Sequence, residues 1–326
     1  MIYKKVGKIA EEISAIGIGC WNFGGDWDSS DENTSISIVH AAIDAGINLF
    51  DVAPVYGWHR AERILGKALK GGKREKVLIA SKCGVVWNDK HETKNDLSRA
   101  NILREIDESL ERLQTDYIDI YQLHWPDHNT SIEETVSALA EIKKAGKIRY
   151  IGLSNFSQNY VETFMSMIEI NAQQGLYNML ERNTNSYDNI PLEYKTEKEM
   201  LPMVKEHGQA FLPYSPLFQG LLAGKFILGK NFSERDIRNE NPKLSGETFR
   251  TYYNATLELK KIADKIGKPM NQLAINWLRQ KSEVTSIIGG ASSISQLEEN
   301  IQAITWDILD ETMSEIEEVI KPFENL

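Results

Sequence analysis

Asp51, Tyr56, Lys82 and His124 each fall at or just beyond the carboxyl end of a predicted strand, in Phe-Asp-Val-Ala-Pro-Val-Tyr-Gly, Leu-Ile-Ala-Ser-Lys and Ile-Tyr-Gln-Leu-His. In a parallel barrel all strands run the same way, so such residues meet at one face. A lysine that follows Val77-Leu-Ile-Ala-Ser needs a partner if its strand is buried, and Asp51 can supply it. Tyr56 falls in the loop above the same rim. A phenol titrates near pH ~10 in water, and a nearby ammonium is expected to lower that value. The set reads as a tyrosine general acid tuned by a Lys-Asp pair, with His124 facing the same oxygen. Taken singly, the aspartate reads as a strand-end cap, the tyrosine as a packed aromatic and the histidine as a core residue. Their joint occurrence at the ends of three strands favours chemistry.

The elements that must position them alternate along the chain. Strands are expected at Ala15-Ile-Gly-Ile-Gly, Ile47-Asn-Leu-Phe, Val77-Leu-Ile-Ala, Tyr117-Ile-Asp-Ile-Tyr, Ile148-Arg-Tyr-Ile-Gly, Ala172-Gln-Gln, Ala210-Phe-Leu-Pro and Ser286-Ile-Ile-Gly. Helical patterns lie between them, at 36–45, 61–69, 102–113 and 132–144. The last begins at Ser131 with Glu134 three residues later, a capping box, and stops at Gly146. Strand-helix alternation with short connections gives a parallel sheet, and eight units close it into a (β/α)8 TIM barrel. Residues 1–326 are expected to form a single such domain. Before it, residues 2–13 read as a hairpin turning at Gly7-Lys8 and plugging the amino-terminal mouth. Extra carboxyl-terminal helices are expected at 293–303 and 310–320. Residues 216–250, rich in Gly and Pro, form the longest interruption, and a loop of that length is usually functional.

Composition narrows the function. Hydrophobic residues at 41% and charged residues at 26% give a globular profile. The net charge of -10 disfavours sequence-independent nucleic-acid binding, which needs clustered basic surface. Cys20 and Cys83 are too few for a disulfide framework and read as core thiols. No signal pattern or membrane-length apolar run occurs, so no membrane is expected and the reducing cytoplasm is the default.

Several superficial signals fail. Gly220-Leu-Leu-Ala-Gly-Lys225 is one residue short of a P-loop, with Phe226 where a hydroxyl belongs. His124-Trp-Pro-Asp-His128 has helical metal-pair spacing, but Pro126 opposes a helix, so no metal is expected. Asp26-Trp-Asp28-Ser-Ser-Asp31 lacks the glycine and glutamate of a calcium loop and reads as a polar loop and helix cap. No strand-linked Gly-x-Gly-x-x-Gly is present, so a dinucleotide would lie extended across the barrel mouth. Trp21, Trp58, Trp87 and Trp125 flank strand ends and could wall a substrate carbonyl or simply pack the rim.

These residues resemble the aldo-keto reductases from about residue 13 to the end. The tetrad of that family matches Asp51, Tyr56, Lys82 and His124 in order. Gly152-Leu-Ser154-Asn155-Phe resembles the segment that holds the nicotinamide carboxamide, with Gln174 as its partner. Tyr214-Ser215-Pro216-Leu217 is similar to the segment whose tyrosine stacks on nicotinamide while the next residues meet the pyrophosphate. The loop ending at Lys225, with Asp236-Ile-Arg238 further on, looks like the bacterial branch that contains reductases of inositol-catabolic operons. Gly289-Gly290-Ala-Ser292-Ser-Ile-Ser-Gln296-Leu-Glu-Glu299-Asn300 resembles the loop and helix start that hold the adenosine half.

The resemblance implies hydride transfer between NADP(H) and a small carbonyl or alcohol compound. Serines at 292 and 293 replace the cation that usually pairs with the 2'-phosphate, and residues 282–320 contain no Lys or Arg. NAD(H) is therefore a serious alternative cofactor. Two other functions fit the sequence less well. One is a dinucleotide-binding redox sensor resembling potassium-channel β subunits, and the other is a metal-dependent hydrolase using Asp51, His124 and His128.

Overall fold

The short apolar runs become strands because both of their faces are covered. In the computed structural model, which describes residues 1–25, 31–224, 226 and 236–325, β1 (Tyr3–Val6) and β2 (Ile9–Ser14) form an antiparallel hairpin turning at Gly7-Lys8. The barrel strands are β3 (Ile16–Gly19), β4 (Leu49–Asp51), β5 (Leu78–Cys83), β8 (Ile118–Leu123), β9 (Ile148–Ser154), β10 (Ala172–Leu176), β13 (Ala210–Tyr214) and β14 (Ile287–Gly289). All eight expected strands are present, paired in parallel in the order β14-β3-β4-β5-β8-β9-β10-β13. Two short hairpins stand on the carboxyl-end rim: β6 (Val85–Trp87) with β7 (Thr93–Asn95), and β11 (Ser186–Tyr187) with β12 (Ile190–Pro191).

The hoop closes without a ladder between β13 and β14. Instead the Thr285 backbone N–H donates to the Phe211 carbonyl at 2.9 Å, and the Phe211 N–H donates to Thr285 Oγ1 at 3.0 Å. At the opposite mouth, Ile9 and Ile13 of the amino-terminal hairpin insert among inward-facing Leu49, Leu78, Ile120, Leu212 and Ile288. The expected plug therefore has a physical basis, since it keeps water from the bottom layer of the barrel core.

Helices fill the outside: α1 (Glu32–Asp44), α2 (Arg60–Ala68), α3 (Arg99–Leu113), α4 (Ile132–Lys144), α5 (Gln158–Met165), α6 (Leu201–His207), α7 (Gly246–Lys265), α8 (Met270–Arg279), α9 (Ile294–Gln302) and α10 (Asp310–Ile320). Helices α1 and α3 begin a few residues before the apolar periodicity does. Their starts are set by caps: Asp31 Oδ2 accepts the Thr34 N–H at 3.1 Å, and Ser98 Oγ accepts that of Asn101 at 3.4 Å. The capping box expected at α4 is half formed. Ser131 Oγ accepts the Glu134 N–H at 3.2 Å, but the Glu134 carboxylate turns to the Arg99 N–H at 2.9 Å. The long interruption is shorter than expected, because its last residues already belong to α7. Among the described residues, no helix is long and apolar enough to cross a membrane.

Strand β5 turns alternate side chains to opposite faces. Lys82 points into the barrel, while Ser81 and Cys83 face the helices. Ser81 Oγ donates to Glu62 Oε1 at 2.8 Å, and Arg112 Nε donates to Glu62 Oε2 at 2.6 Å. One step along, Glu105 Oε2 accepts the Gly84 N–H at 2.7 Å and Asn101 Nδ2 at 3.0 Å. Both carboxylates are buried.

Replacing Arg112 by Met strands the Glu62 charge in the helix layer and should cost about 3–5 kcal/mol, read from urea unfolding. The double variant with Glu62→Gln should recover most of that loss. Glu105 generates a pH prediction. Burial, opposed by the Gly84 N–H, pushes its carboxyl up to about 7 from an ordinary 4.5. The folded state thus holds this proton more tightly than the unfolded chain. Its contribution to stability is full below the unfolded value and is lost as pH rises through about 7. Relative to Glu105→Gln, the wild-type protein should lose up to roughly 3 kcal/mol between pH 5 and pH 8, measured by denaturant titration at each pH.

Candidate active site

Asp51 ends β4 and pairs in register with Ala80 of β5, so Lys82, two residues further on the same inner face, is carried directly above it. Lys82 has no exposed surface. Its Nζ donates to Asp51 Oδ1 and Oδ2 at 2.8 Å each and to Tyr56 Oη at 2.9 Å, with the Val52 carbonyl at 3.3 Å. Burial lowers the lysine pKa, and Asp51 opposes that shift.

Tyr56 is delivered by a tight loop between β4 and α2. Gly57 lies so close to Gly24 that a Cβ there would fall 2.1 Å from the Gly24 carbonyl oxygen, which no side chain permits. The phenol is pressed between Trp21, stacked at 5.4 Å between ring centroids, and the edge of His124 at 5.9 Å. Its pKa moves opposite to the sequence-based expectation. Burial raises it well above 10, and the Asp51 carboxylate raises it further. The ammonium beside it is already matched by Asp51, and its pull on the phenol is outweighed by burial. His124 follows β8, with its N–H on the Cys83 carbonyl at 3.0 Å. Burial and the Lys82 charge hold its imidazole well below 6.5, hence neutral.

Asp51, Tyr56 and His124 open onto a cavity of about 1080 Å³, with Lys82 buried behind them. At the tetrad end, Asn155 has a left-handed φ of 68°. Its Oδ1 accepts from Tyr214 at 2.8 Å and Tyr194 at 3.0 Å, while its Nδ2 reaches Ser154 Oγ at 3.1 Å. Gln174 Nε2 donates to Asp51 Oδ1 at 2.8 Å, a contact that the motif does not foretell. Ser215 and Leu217 also line the cavity.

At the other end, Gly290, Ser292, Gln296, Glu299 and Asn300 line the wall. Ser293 caps α9 through the Gln296 N–H at 3.2 Å, and Gln296 Oε1 in turn accepts the Ser292 N–H at 2.8 Å. Asn300 Nδ2 donates to the Gly290 carbonyl at 3.1 Å, and Asn271 Nδ2 to Glu299 Oε2 at 3.0 Å. Lys225 and the segment Asp26–Asp28 lie outside the described residues.

Trp21, Trp58 and Trp125 line the cavity. Trp87 sits behind Trp58, edge to face at 5.2 Å, and against His59 at 4.8 Å. His128 is turned outward, its ring nitrogens on Tyr160 Oη and Glu193 Oε1 at 2.8 Å each, so it does not join His124. Among the described residues, no group of three or more His, Cys, Asp or Glu could hold a metal ion.

Sequence reasoning missed Asn22, Tyr187, Ile190, Gln219 and Asn271 as lining residues. A signal existed for two of them. Asp188-Asn189 is a turn-forming pair between an aromatic and a β-branched residue, a local turn cue although the flanking strands are too short to alternate. Asn22, beside Ser292 Oγ at 3.3 Å, belongs to a rim turn with no such mark.

A buried proton donor beside a matched ammonium, with a neutral imidazole facing it, can protonate an oxygen that gains charge and hold the resulting anion. The cavity also suits a long polar ligand. Carboxamide-type donors and acceptors gather near the tetrad, and a capped helix start opens at the far end, where backbone N–H groups favour an anion. Its volume exceeds the about 300–1000 Å³ of drug-sized pockets, leaving room for a dinucleotide beside a small substrate.

Comparison with known proteins identifies the family. The sequence model of the Aldo/keto reductase family matches residues 15–321. Aldo-keto reductase YhdN of Bacillus subtilis is 37% identical over 324 residues, covering 98% of this chain and 94% of its own. The NADH-specific methylglyoxal reductase of Escherichia coli is 31% identical over 327 residues, covering 96% of each. The solved structure of a glycerol dehydrogenase from Gluconobacter oxydans superposes with a TM-score of 0.86 at 31% identity, over 98% of this chain and 95% of that one. The chain belongs to the aldo-keto reductase family, oxidoreductases that use a nicotinamide cofactor and act on carbonyl and alcohol groups.

Proposed function

We propose that this protein reduces an aldehyde or ketone to the alcohol, and runs the reverse reaction, with Tyr56 as the proton donor and acceptor. The observation that carries this reading is the single buried ammonium of Lys82 bonded to both Asp51 and Tyr56 Oη, two residues that line the cavity. A bound dinucleotide supplies or accepts the hydride. Tyr56, kept protonated by burial, gives its proton to the carbonyl oxygen as charge develops there. Lys82, 2.9 Å away, then stabilises the phenolate, and Asp51 keeps that lysine charged and aimed. Neutral His124 donates a ring N–H to the same oxygen.

Ser154, Asn155 and Gln174 would hold the carboxamide, Tyr214 would stack on the nicotinamide ring, and Ser215 and Leu217 would meet the pyrophosphate. Gly290, Ser292, Gln296, Glu299 and Asn300 would hold the adenosine half. Trp21, Trp58 and Trp125 would wall the carbonyl compound. With no cation between residues 282 and 320, discrimination between NADPH and NADH should be weak. A relative named as NADH-specific supports NAD(H) as an alternative cofactor.

The test is oxidation of NADPH and NADH over a panel of aldehydes, ketoses and diketones. Tyr56→Phe, which deletes only the phenolic proton, should lower kcat/KM about 10²–10⁴-fold while dinucleotide affinity stays within a few-fold. Near-wild-type turnover would sink the assignment. Tight dinucleotide binding without turnover on any carbonyl would favour a redox-reporting module instead. For the cofactor, Ser292→Arg should tighten NADPH binding by about 1–3 kcal/mol at fixed moderate salt and leave NADH nearly unchanged. Tryptophan-fluorescence quenching reads both constants. Equal changes for the two would remove this loop from 2'-phosphate recognition.

A further inference from the structure

The hairpin β11–β12 contributes Tyr187 and Ile190 to the cavity wall, with the Tyr187 ring edge-on to Tyr214 at 5.3 Å. Strands of two residues each cannot hold themselves in place. Something outside must fix this wall. Buried Lys243 does part of the work, donating to the Ser186 carbonyl and Glu181 Oε1 at 2.6 Å each. Asn189 Nδ2 adds a bond to the Glu240 carbonyl at 2.8 Å.

A further link runs through Gln219. Its Nε2 donates to Asp188 Oδ1 at 3.0 Å and Oδ2 at 3.2 Å, and its Oε1 accepts from Asn241 Nδ2 at 3.1 Å. Gln219 also lines the cavity, whereas Asp188, at the hairpin turn, does not. The backbone that presents it is strained: Phe218 and Gln219 have left-handed φ of 46° and 48°, followed by Gly220 at 93°. Such a conformation in a non-glycine residue persists only where its surroundings enforce it. This run directly follows Tyr214–Leu217, the stretch assigned above to the nicotinamide and pyrophosphate. One amide side chain thus ties the substrate wall to the strained segment on the dinucleotide side.

We propose that the Asp188–Gln219 bridge makes these two walls one mechanical unit, so that Asp188 positions the sites of both dinucleotide and carbonyl compound while lining neither. The inference rests on the proposed function. Reciprocity requires that a ligand which steadies one wall also steadies the other.

The test uses the full chain, with NADPH and p-nitrobenzaldehyde as probes. Asp188→Ala should raise both the NADPH dissociation constant, read by tryptophan fluorescence, and the KM for the aldehyde, each by roughly 5-fold or more, with kcat less affected. Asp188→Asn, which keeps an acceptor oxygen, should restore most of both. Combining Asp188→Ala with Gln219→Ala should be no worse than Gln219→Ala alone. An Asp188→Ala protein with unchanged NADPH affinity, or effects that simply add, overturns the coupling. If Asp188→Ala does not fold, the comparison of Asp188→Asn with Gln219→Glu decides. The latter sets two carboxylates face to face, and NADPH binding as strong as in Asp188→Asn would overturn the bridge. Failure of the wild-type protein to reduce any carbonyl would refute the enzymatic reading alone, because the NADPH arm still reports on the bridge.

Discussion

An ammonium without exposed surface is the demand around which the top of this barrel is arranged. Moving such an ion out of water costs several kcal/mol even after relaxation, so Lys82 persists there only with a counter-charge and an acceptor for each of its hydrogens. Asp51 supplies the charge, and Tyr56 and the Val52 carbonyl complete the set. Each of these partners places a condition on the backbone. The β4–β5 register must bring Asp51 beneath Lys82, and the following loop must fold back tightly enough for Tyr56 to reach over, which the Gly24–Gly57 contact allows. Gln174 then binds the same carboxylate from across the barrel and joins β10 to the arrangement.

The same strand faces a second demand on its other side. Ser81 and Gly84 lean on carboxylates supplied by α2 and α3, so the position of the lysine is coupled to helices that never approach the cavity. A parallel strand buried on both faces would ordinarily be apolar throughout. Polar residues on both faces of β5 fix its register and depth, since sliding it would leave several buried groups without partners at once.

The strands were legible because short apolar runs between amphipathic stretches have few other uses, and the tetrad was legible because strand ends converge. Helix starts were less so. Periodicity records only the buried face, while Asp31 and Ser98 act one turn earlier through side-chain oxygens. The rim hairpins escaped notice because their strands are too short for alternation to register. The tyrosine pKa was misjudged for a different reason. Proximity to Lys82 is visible in the motif, but the neutralisation of that lysine by Asp51 and the loss of solvent around the ring are properties of the packed site. Gln174 shows the same limit, since the sequence names the residue and not the carboxylate it touches.

The join between β13 and β14 has a bearing on binding. There a threonine hydroxyl stands in for a backbone acceptor, and the ladder that links every other neighbouring pair is missing. Tyr214 and Ser215 leave the barrel on one side of that join, and Gly290 and Ser292 leave it on the other. A dinucleotide lying between the two groups would cross the join as a strap across a thin seam. The seam with the fewest bonds would then be fastened by the molecule the enzyme exists to use.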